Sequence, residues 1–370
     1  EIDSLLFKNL DVTIYDYIKA GSFYKELYDK NGFLSDNKIE YKEEALSALK
    51  LKEPKKEYFN LAEQLKAEFG IGYAKILSKI VTKYFFEDPV ELIQNSHELF
   101  GLARIVVGTN EETQELKKNP KFDNVIAFHS YKDGISSLKS MYPTQNGSGS
   151  WIKAMEQALI ENDVKIIKGA NLGQVVQRDG KIESIQFNDE IHQLDKLVWT
   201  IPPFILIKKL GIKLETAPPS LLTSCIFHYL VDEKYLTDLY YLQCFDPNLK
   251  SFRITLYDNY SSGVKDKYRI SVEVLLKDYD VDVGQLSEEI FQELVTMKVI
   301  SSNAKKLNEA YNIYPNGFPV LNHSFMAKSE KQYKILKESY KNIEVFGKAK
   351  GNLWFMNDII LDIYNSINRS

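Results

Sequence analysis

The chain has 370 residues, of which 44% are hydrophobic and 26% charged. This ordinary globular composition excludes a disordered tail, a collagen-like fibre and a small disulfide scaffold. The formal net charge of -4 argues against a dedicated polyanion or nucleic-acid binder. The longest conspicuous apolar run, residues 201–207, is far shorter than the roughly 18 residues of a membrane span.

The chain opens at Glu1 on an amphipathic pattern of Ile2, Leu5, Leu6 and Leu10, with no signal peptide or lipidation signal. Residues 11–17 alternate and residues 21–28 are aromatic-rich, so both read as strand-like, with a turn at Asn31-Gly32. A helical period runs over 42–84 through Leu61, Leu65, Phe69, Ile76, Leu77 and Ile80, and Gly70 and Gly72 divide it into two helices. Asp88-Pro89 is expected to open a short helix through Leu92, and residues 108–132 read as a polar surface excursion.

From Met141 helix and strand alternate. A Gly-rich turn at 146–150 leads into a helix with Ile152, Met155, Leu159 and Ile160 on one face. A short strand is expected at 164–167, then a hairpin of 172–177 and 182–187 around Asp179-Gly180, then a buried strand over 196–201 ended by Pro202-Pro203. Segments 224–231, 239–245, 251–257 and 268–275 predict an antiparallel sheet. Helices over 285–297 and 328–340 flank a Pro/Gly segment around Tyr314. The chain closes with a strand at 342–346, a Gly351 turn and an amphipathic helix over 357–367.

Few residues carry obvious chemistry. Cys225 and Cys244 are the only cysteines, with no CxxC and no nearby His, so they read as buried reduced thiols and zinc is excluded. The five histidines, His97, His129, His192, His228 and His323, are scattered and read as surface or packed side chains. Only five basic residues are Arg, namely Arg104, Arg178, Arg253, Arg269 and Arg369. Arg253 sits inside an apolar strand and needs a partner, either a carboxylate in the fold or an anionic ligand. The turn Gly147-Ser148-Gly149 fails the dinucleotide fingerprint, because Ile152 stands at the third glycine position and no buried strand precedes it. The segment VFGKAKGNLWFMNDIILDI, from Val345, is a strand, glycine turn and helix that together suit a phosphate or another electron-rich group. A plain connection needing glycine for its turn geometry is the competing reading. The aromatic content of 12% suits either a half-buried sheet or an aromatic-lined ligand cavity.

Taken in order, several of these segments resemble flavin enzymes of the amine oxidase and protoporphyrinogen oxidase superfamily, which includes the UDP-galactopyranose mutases. Leu61 to Gly70 and on to Asp88-Pro89 is similar to the family's helical stretch. Met141-Tyr142-Pro143 to Leu159 resembles the segment "Y-P-x-x-G-x-G" opening a helix. Leu172 to Val175 before Asp179-Gly180 resembles the hairpin whose backbone receives the adenine of FAD. Val198 to Pro202 resembles the strand beside the dinucleotide, and Phe252 to Thr255 an "F-R-V-T" strand. Phe346-Gly347 to Asp358 resembles the closing motif, where a helix N-terminus meets the pyrophosphate, ribityl chain and flavin edge.

The resemblance implies an α/β protein with an α+β substrate domain, in an FAD/NAD(P)-binding, glutathione-reductase-like fold. Its expected parts are a mixed strand and helical cap over 1–140, part of the FAD-binding domain over 141–210, an antiparallel-sheet substrate domain over 211–340, and a closing FAD-binding strand and helix over 341–370. It implies FAD as cofactor, held by Leu172, Thr200, Pro202, Gly347, Gly351, Phe355, Met356, Asn357 and Asp358. Arg253, Tyr257, Asn259 and Tyr314 would face the substrate, with Trp151 and Trp354 flanking the ring. No catalytic side chain is identified and no metal is implied.

Three departures stand out. The N-terminal βαβ unit with its GxGxxG is absent, a segment on the order of 50 to 80 residues. Asp11 to Asp16 resembles the strand ending in the ribose-binding acid, but no Gly-Gly pair follows it, so residue 1 is expected to fall after that strand. Lys348 replaces the family's usual Arg, and Asn357 stands where many members carry Asp. The lysine that some amine oxidases hold near the flavin has no counterpart.

The expected activity is an FAD-dependent oxidoreductase acting on a small or medium organic substrate by hydride transfer to flavin. The alternatives are a mutase-like sugar-nucleotide flavoenzyme, which wants more Arg than this chain has, and a non-catalytic remnant of the fold. Nothing in the sequence points to a nucleic-acid partner or an anchor, and the two unpaired cysteines suggest the cytoplasm.

Overall fold

The computed structural model describes residues 10–35, 42–51, 57–133, 140–214, 220–260, 266–278 and 280–367. The opening Ile2 to Leu6 pattern lies outside them. In chain order the first half holds β1 (Val12–Tyr15), β2 (Ala20–Tyr24), β3 (Glu26–Tyr28), β4 (Leu34–Ser35), α1 (Lys42–Leu51), α2 (Leu61–Phe85), β5 (Ile105–Val106), α3 (Asn110–Lys117), α4 (Pro120–Asp123), β6 (Ser140–Pro143) and α5 (Ser148–Glu161). There follow β7 (Leu172–Arg178), β8 (Lys181–Phe187), β9 (Glu190–Gln193), β10 (Leu197–Trp199), α6 (Pro203–Lys209), β11 (Leu221–Val231), β12 (Tyr241–Cys244), β13 (Ser251–Leu256) and β14 (Tyr268–Leu276). The chain ends with α7 (Val283–Thr296), β15 (Lys306–Pro319), α8 (His323–Ser339), β16 (Ile343–Val345) and α9 (Met356–Ile367). No helix among the described residues is long and apolar enough to cross a membrane.

Two compact units result. One gathers Glu1–Thr13, Met141–Ser220 and His323–Ser370, the other Ile14–Ser140 and Leu221–Asn322.

The second unit is built on a seven-stranded sheet in the order β15-β11-β14-β13-β12-β2-β3. Strict alternation makes one face apolar: Cys225, Phe227, Tyr229 and Val231 of β11 join Val272, Ile254 and Leu242 against Leu286, Ile290 and Leu294 of α7. Each fully buried side chain of that size contributes about 2 kcal/mol. The antiparallel sheet expected over 224–275 is therefore present. It also recruits the Pro/Gly segment around Tyr314, which is not a connector but the 14-residue edge strand β15. An edge position leaves one side of the strand free of ladder bonds, so Pro315 and Gly317 are tolerated there.

Helix α2 is broken at Gly70, whose φ of 78° and ψ of 170° are non-helical. The Glu44 carboxylate of α1 caps the restart, with Oε1 accepting from Ile71 N–H at 2.6 Å and Gly72 N–H at 3.2 Å. Downstream of the break Tyr73, Leu77, Ile80 and Tyr84 are all buried. The Lys83 ammonium fastens this half-helix to the sheet, donating to the carbonyls of Cys244 (3.1 Å), Asp246 (2.8 Å) and Ser251 (2.9 Å). Glu293 of α7 accepts from the N–H groups of Lys250 and Ser251, at 2.6 and 2.8 Å, and so fixes the start of β13.

Two local expectations give way here. Residues 89–91 form a turn, not a helix, because Asp88 Oδ1 takes the Val90 N–H at 2.9 Å. The excursion at 108–132 contains α3, opened by a capping box between Thr109 and Glu112, and then buries Val125, Ile126 and Ala127.

The first unit holds the antiparallel sheet β7-β8-β9 and the parallel pair β10-β16. Val175, Ile182 and Ile185 from the former pack with Trp199, Ile343 and Val345 from the latter, together with Leu206 of α6 and Leu336 of α8. Asn342 ties the two sheets, its Oδ1 accepting from Ile182 N–H at 2.9 Å and its Nδ2 donating to Ile182 O at 2.8 Å. The strand expected at 164–167 is absent: its backbone finds no ladder partner and its side chains are exposed. Helices α5 and α9 bury no residue, and Val198 of β10 is 51% exposed.

Replacing Glu44 by Ala should cost about 1 to 2 kcal/mol, the usual worth of a helix cap. Urea unfolding measures it; an unchanged midpoint would show that the restart after Gly70 needs no side-chain cap.

Candidate functional site

In the first unit the parallel register sets Leu197 beside Ile343 and Trp199 beside Val345. Both strands therefore end at the same level, and Phe346 N–H extends the pairing to Trp199 O at 3.0 Å. From β10 the chain leaves through Thr200 and Pro202 into α6. From β16 it leaves through a 3-10 turn over Gly347–Lys350 and then Gly351. The carboxyl ends of parallel strands are where α/β sheets place ligands.

The glycines in this turn are structurally required. Gly347 and Gly351 have φ of 64° and 80°, and a Cβ on Gly351 would lie 2.7 Å from the Ser329 Cβ of α8. The turn delivers the chain to α9, whose opening residues Met356, Asn357 and Asp358 are exposed. Their N–H groups precede the first intrahelical bond, Ile359 N–H to Phe355 O at 3.1 Å, and lie at the positive end of the helix dipole. Lys350 is committed to Asp362 at 2.6 Å. Lys348 is exposed and makes no ion pair among the described residues. Two left-handed glycines, free helix N–H groups and one uncommitted ammonium form a donor set that fits a dinucleotide pyrophosphate.

The remaining expected cofactor residues are more dispersed. Leu172 begins β7 and pairs with Phe187, at the end of that strand remote from the Gly180 carbonyl, which accepts from Lys341 N–H at 2.8 Å. Phe355 is exposed. Trp354 packs on Phe325 of α8 with ring centroids 5.7 Å apart, and Trp151 lies half-buried in the first turn of α5.

In the second unit the sheet face turned away from the apolar core is mixed, with Arg253, Glu273, Ser271 and His228 among Ile226, Leu230 and Leu275. Arg253 does have the carboxylate partner that its setting demands: Nε and Nη2 reach Glu273 Oε1 at 2.7 and 2.5 Å across the β13–β14 ladder. Tyr314 shares this face, half exposed on β15. Three strand spacings, about 14 Å, separate it laterally from Arg253. Asn259 donates its amide to the carbonyls of Thr237 (3.1 Å) and Leu239 (2.6 Å), so it braces a loop. Tyr257 begins the adjoining 3-10 turn. Arg253 and Tyr314 thus lie on one sheet face, and Tyr257 and Asn259 lie in the 3-10 turn after β13.

Two of the histidines expected as surface or packed side chains have defined settings. His228 stands on the same face, Nδ1 at 2.6 Å from Ser271 Oγ and Nε2 at 3.1 Å from Asn312 Oδ1. These partners come from strands 43 and 84 residues away in sequence. The second, His97, lines a pocket of about 530 Å³ with Gln64, Glu68 and Arg104. His97 is 2% exposed, its Nδ1 has no hydrogen-bond partner, and burial lowers its pKa to about 4.

No protein-family model matches the chain, and no curated protein sequence matches it. Solved structures do. A reduced UDP-galactopyranose mutase superposes with a TM-score of 0.69 at 14% identity, over 94% of this chain and 76% of that one. A protein assigned as a protoporphyrinogen oxidase from an Exiguobacterium species gives 0.61 at 12%, over 94% and 79%. A putrescine oxidase bound to putrescine gives 0.54 at 10%, over 98% and 84%. The chain therefore has the mixed α/β fold that these three structures share.

The buried His97 makes stability depend on pH. Its folded-state pKa of about 4 lies below the ordinary 6.5, so between these values the unfolded chain binds the extra proton. This contribution is complete above pH 6.5 and is lost as pH falls toward 4, by about 3 kcal/mol. His97→Asn should flatten that part of a urea-stability profile; an identical slope in the variant would contradict the assignment.

Proposed function

We propose that the chain is an FAD-dependent oxidoreductase that takes a hydride from a small or medium organic substrate. The observation that carries this reading is the end of the β10–β16 pair. There two left-handed glycines deliver the chain to an exposed helix N-terminus, within a fold shared with flavin enzymes. Bound FAD would supply the redox chemistry, accepting the hydride.

The chain's own residues have separable tasks in this reading. The turn from Gly347 to Gly351 lets the backbone approach a pyrophosphate without a Cβ in the way. The N–H groups of Met356, Asn357 and Asp358 hold the phosphate and ribityl end, and the positive pole of α9 favours the negative charge of a reduced flavin. Lys348 adds a compact positive charge in the place of the bidentate Arg. Thr200 and Pro202 flank the dinucleotide from the neighbouring strand end, and the Leu172 backbone receives the adenine. Arg253, its charge already balanced by Glu273, offers a substrate a hydrogen-bonding edge more than a net charge. Tyr257 and Tyr314 present phenols, and Asn259 acts through the loop it braces.

A second reading, a sugar-nucleotide flavoenzyme, is favoured by the mutase TM-score of 0.69, against 0.61 and 0.54 for the two oxidases. The arginines speak against it. Arg104, Arg178, Arg253 and Arg269 each face a carboxylate of the fold, from Asp123, Glu183, Glu273 and Asp258, which leaves no described Arg uncommitted for a sugar-nucleotide diphosphate.

Purified full-length protein should carry flavin absorbance or acquire it on addition of FAD. Gly351→Val should weaken FAD binding by at least about tenfold, or 1.4 kcal/mol. A colourless protein that does not respond to FAD would contradict both enzymatic readings and favour a non-catalytic remnant. Tight UDP-sugar binding without consumption of an oxidant would move the assignment to the second reading.

A further inference from the structure

The second unit contains a groove of about 830 Å³ that takes no part in the functions above. Its walls come from both halves of α2, from the β2–β3 turn and from the turn after β12. On an unbroken helix Lys66 and Lys79 would stand about 20 Å apart along the axis. The break at Gly70 instead brings both into this one groove.

The polar groups there are unequal in kind. Lys25, Lys66 and Lys79 are exposed and make no ion pair among the described residues. Ser78 and Thr82, one helical turn apart, make no side-chain hydrogen bond among them. The Lys83 ammonium adds a fourth positive charge, although its donors are spent on three carbonyls.

Asp88 and Asp246 are held by N–H donors of the fold, and their charges offset part of the positive charge. Asp88 Oδ1 accepts from Val90 N–H at 2.9 Å. Asp246 accepts from Lys25 N–H at 3.2 Å and from Asn248 N–H and Nδ2, at 2.9 and 3.0 Å. Four lysines against two carboxylates leave the groove with an excess of two positive charges and with uncommitted ammonium and hydroxyl donors, on a chain whose net charge is -4.

We propose that this groove binds a phosphate-bearing anion. A ligand for it must bring acceptors and negative charge, and lysines, unlike the planar Arg fork, serve compact phosphates as point charges. Tyr24, with the Lys25 ammonium 5.1 Å from its ring centroid, gives one wall an aromatic surface for an organic moiety. A soluble phosphate ester and a phosphorylated lipid headgroup share this chemistry.

The test is calorimetric titration of the full-length protein with inorganic pyrophosphate at low salt, compared with the Lys66→Glu/Lys79→Glu variant. Both positions are exposed, and circular dichroism checks that the variant is folded; Lys79→Gln alone replaces it if it is not. A saturable isotherm that weakens at least about tenfold in the double variant, and with rising salt, is expected. Absence of saturable binding, or equal affinity in wild type and variant, would overturn the proposal. The second outcome would place the anion elsewhere, for example on the turn before α9. Sedimentation with phosphatidylcholine vesicles, with and without phosphoinositide, then separates the two sources. Phosphoinositide-dependent binding lost in the variant identifies a lipid headgroup. Pyrophosphate binding without vesicle binding identifies a soluble ester.

Discussion

Parallel pairing of β10 with β16 is the constraint on which the candidate cofactor site depends. Two segments about 145 residues apart in sequence are locked by Leu197 beside Ile343 and Trp199 beside Val345, and both must then turn at the same edge. One exit is shaped by proline and the other by glycine. At that edge the glycine-bounded turn after Phe346 starts beside the end of β10, from which the chain leaves through Thr200 and Pro202. Asn342 secures the opposite end by satisfying both polar groups of the Ile182 backbone. Because these bonds are half-buried, their loss would leave unpaired backbone groups away from water.

The second unit solves a different problem, that of carrying charged and hydrogen-bonding side chains on one sheet face while the other is dry. Its rim is held by buried charges that are fully used: Lys83 on three carbonyls, Glu293 on the start of β13, and Asp258 on Arg269 at 2.9 Å and Tyr235 at 3.2 Å. With the rim secured, the outer face can carry the Arg253–Glu273 pair and the Ser271–His228–Asn312 chain, which offer a ligand donors and acceptors on a rigid scaffold. The same Lys83 anchor ties the second half of α2 beside the lysine-lined groove, so one buried ammonium supports both surfaces of the unit.

The fold was legible where periodicity is strong. The four antiparallel strands and the break at Gly70 follow directly from residue spacing. The edge strand β15 was hidden because Pro315 and Gly317 read as loop signals, although an edge tolerates both. Residues 164–167 misled in the opposite way, because β-branched composition does not make a strand without a partner. The apolar stripe of α5, with Ile152, Leu159 and Ile160, predicted a helix correctly, yet the described residues leave that stripe exposed. Within the site, the glycine turn and α9 were readable because they are contiguous in sequence. The identity of the partners of Arg253 and His228 was not, since both depend on cross-strand register, and the burial of His97 depends on tertiary packing.

Hydrogen–deuterium exchange of the full-length protein with and without FAD tests the central claim most directly. Slower exchange on FAD binding is expected in the 346–351 turn and the first turn of α9, with the first strand of the β7–β8 hairpin following. If FAD binds while those amides exchange unchanged and protection appears elsewhere, or if FAD does not bind at all, the account is wrong.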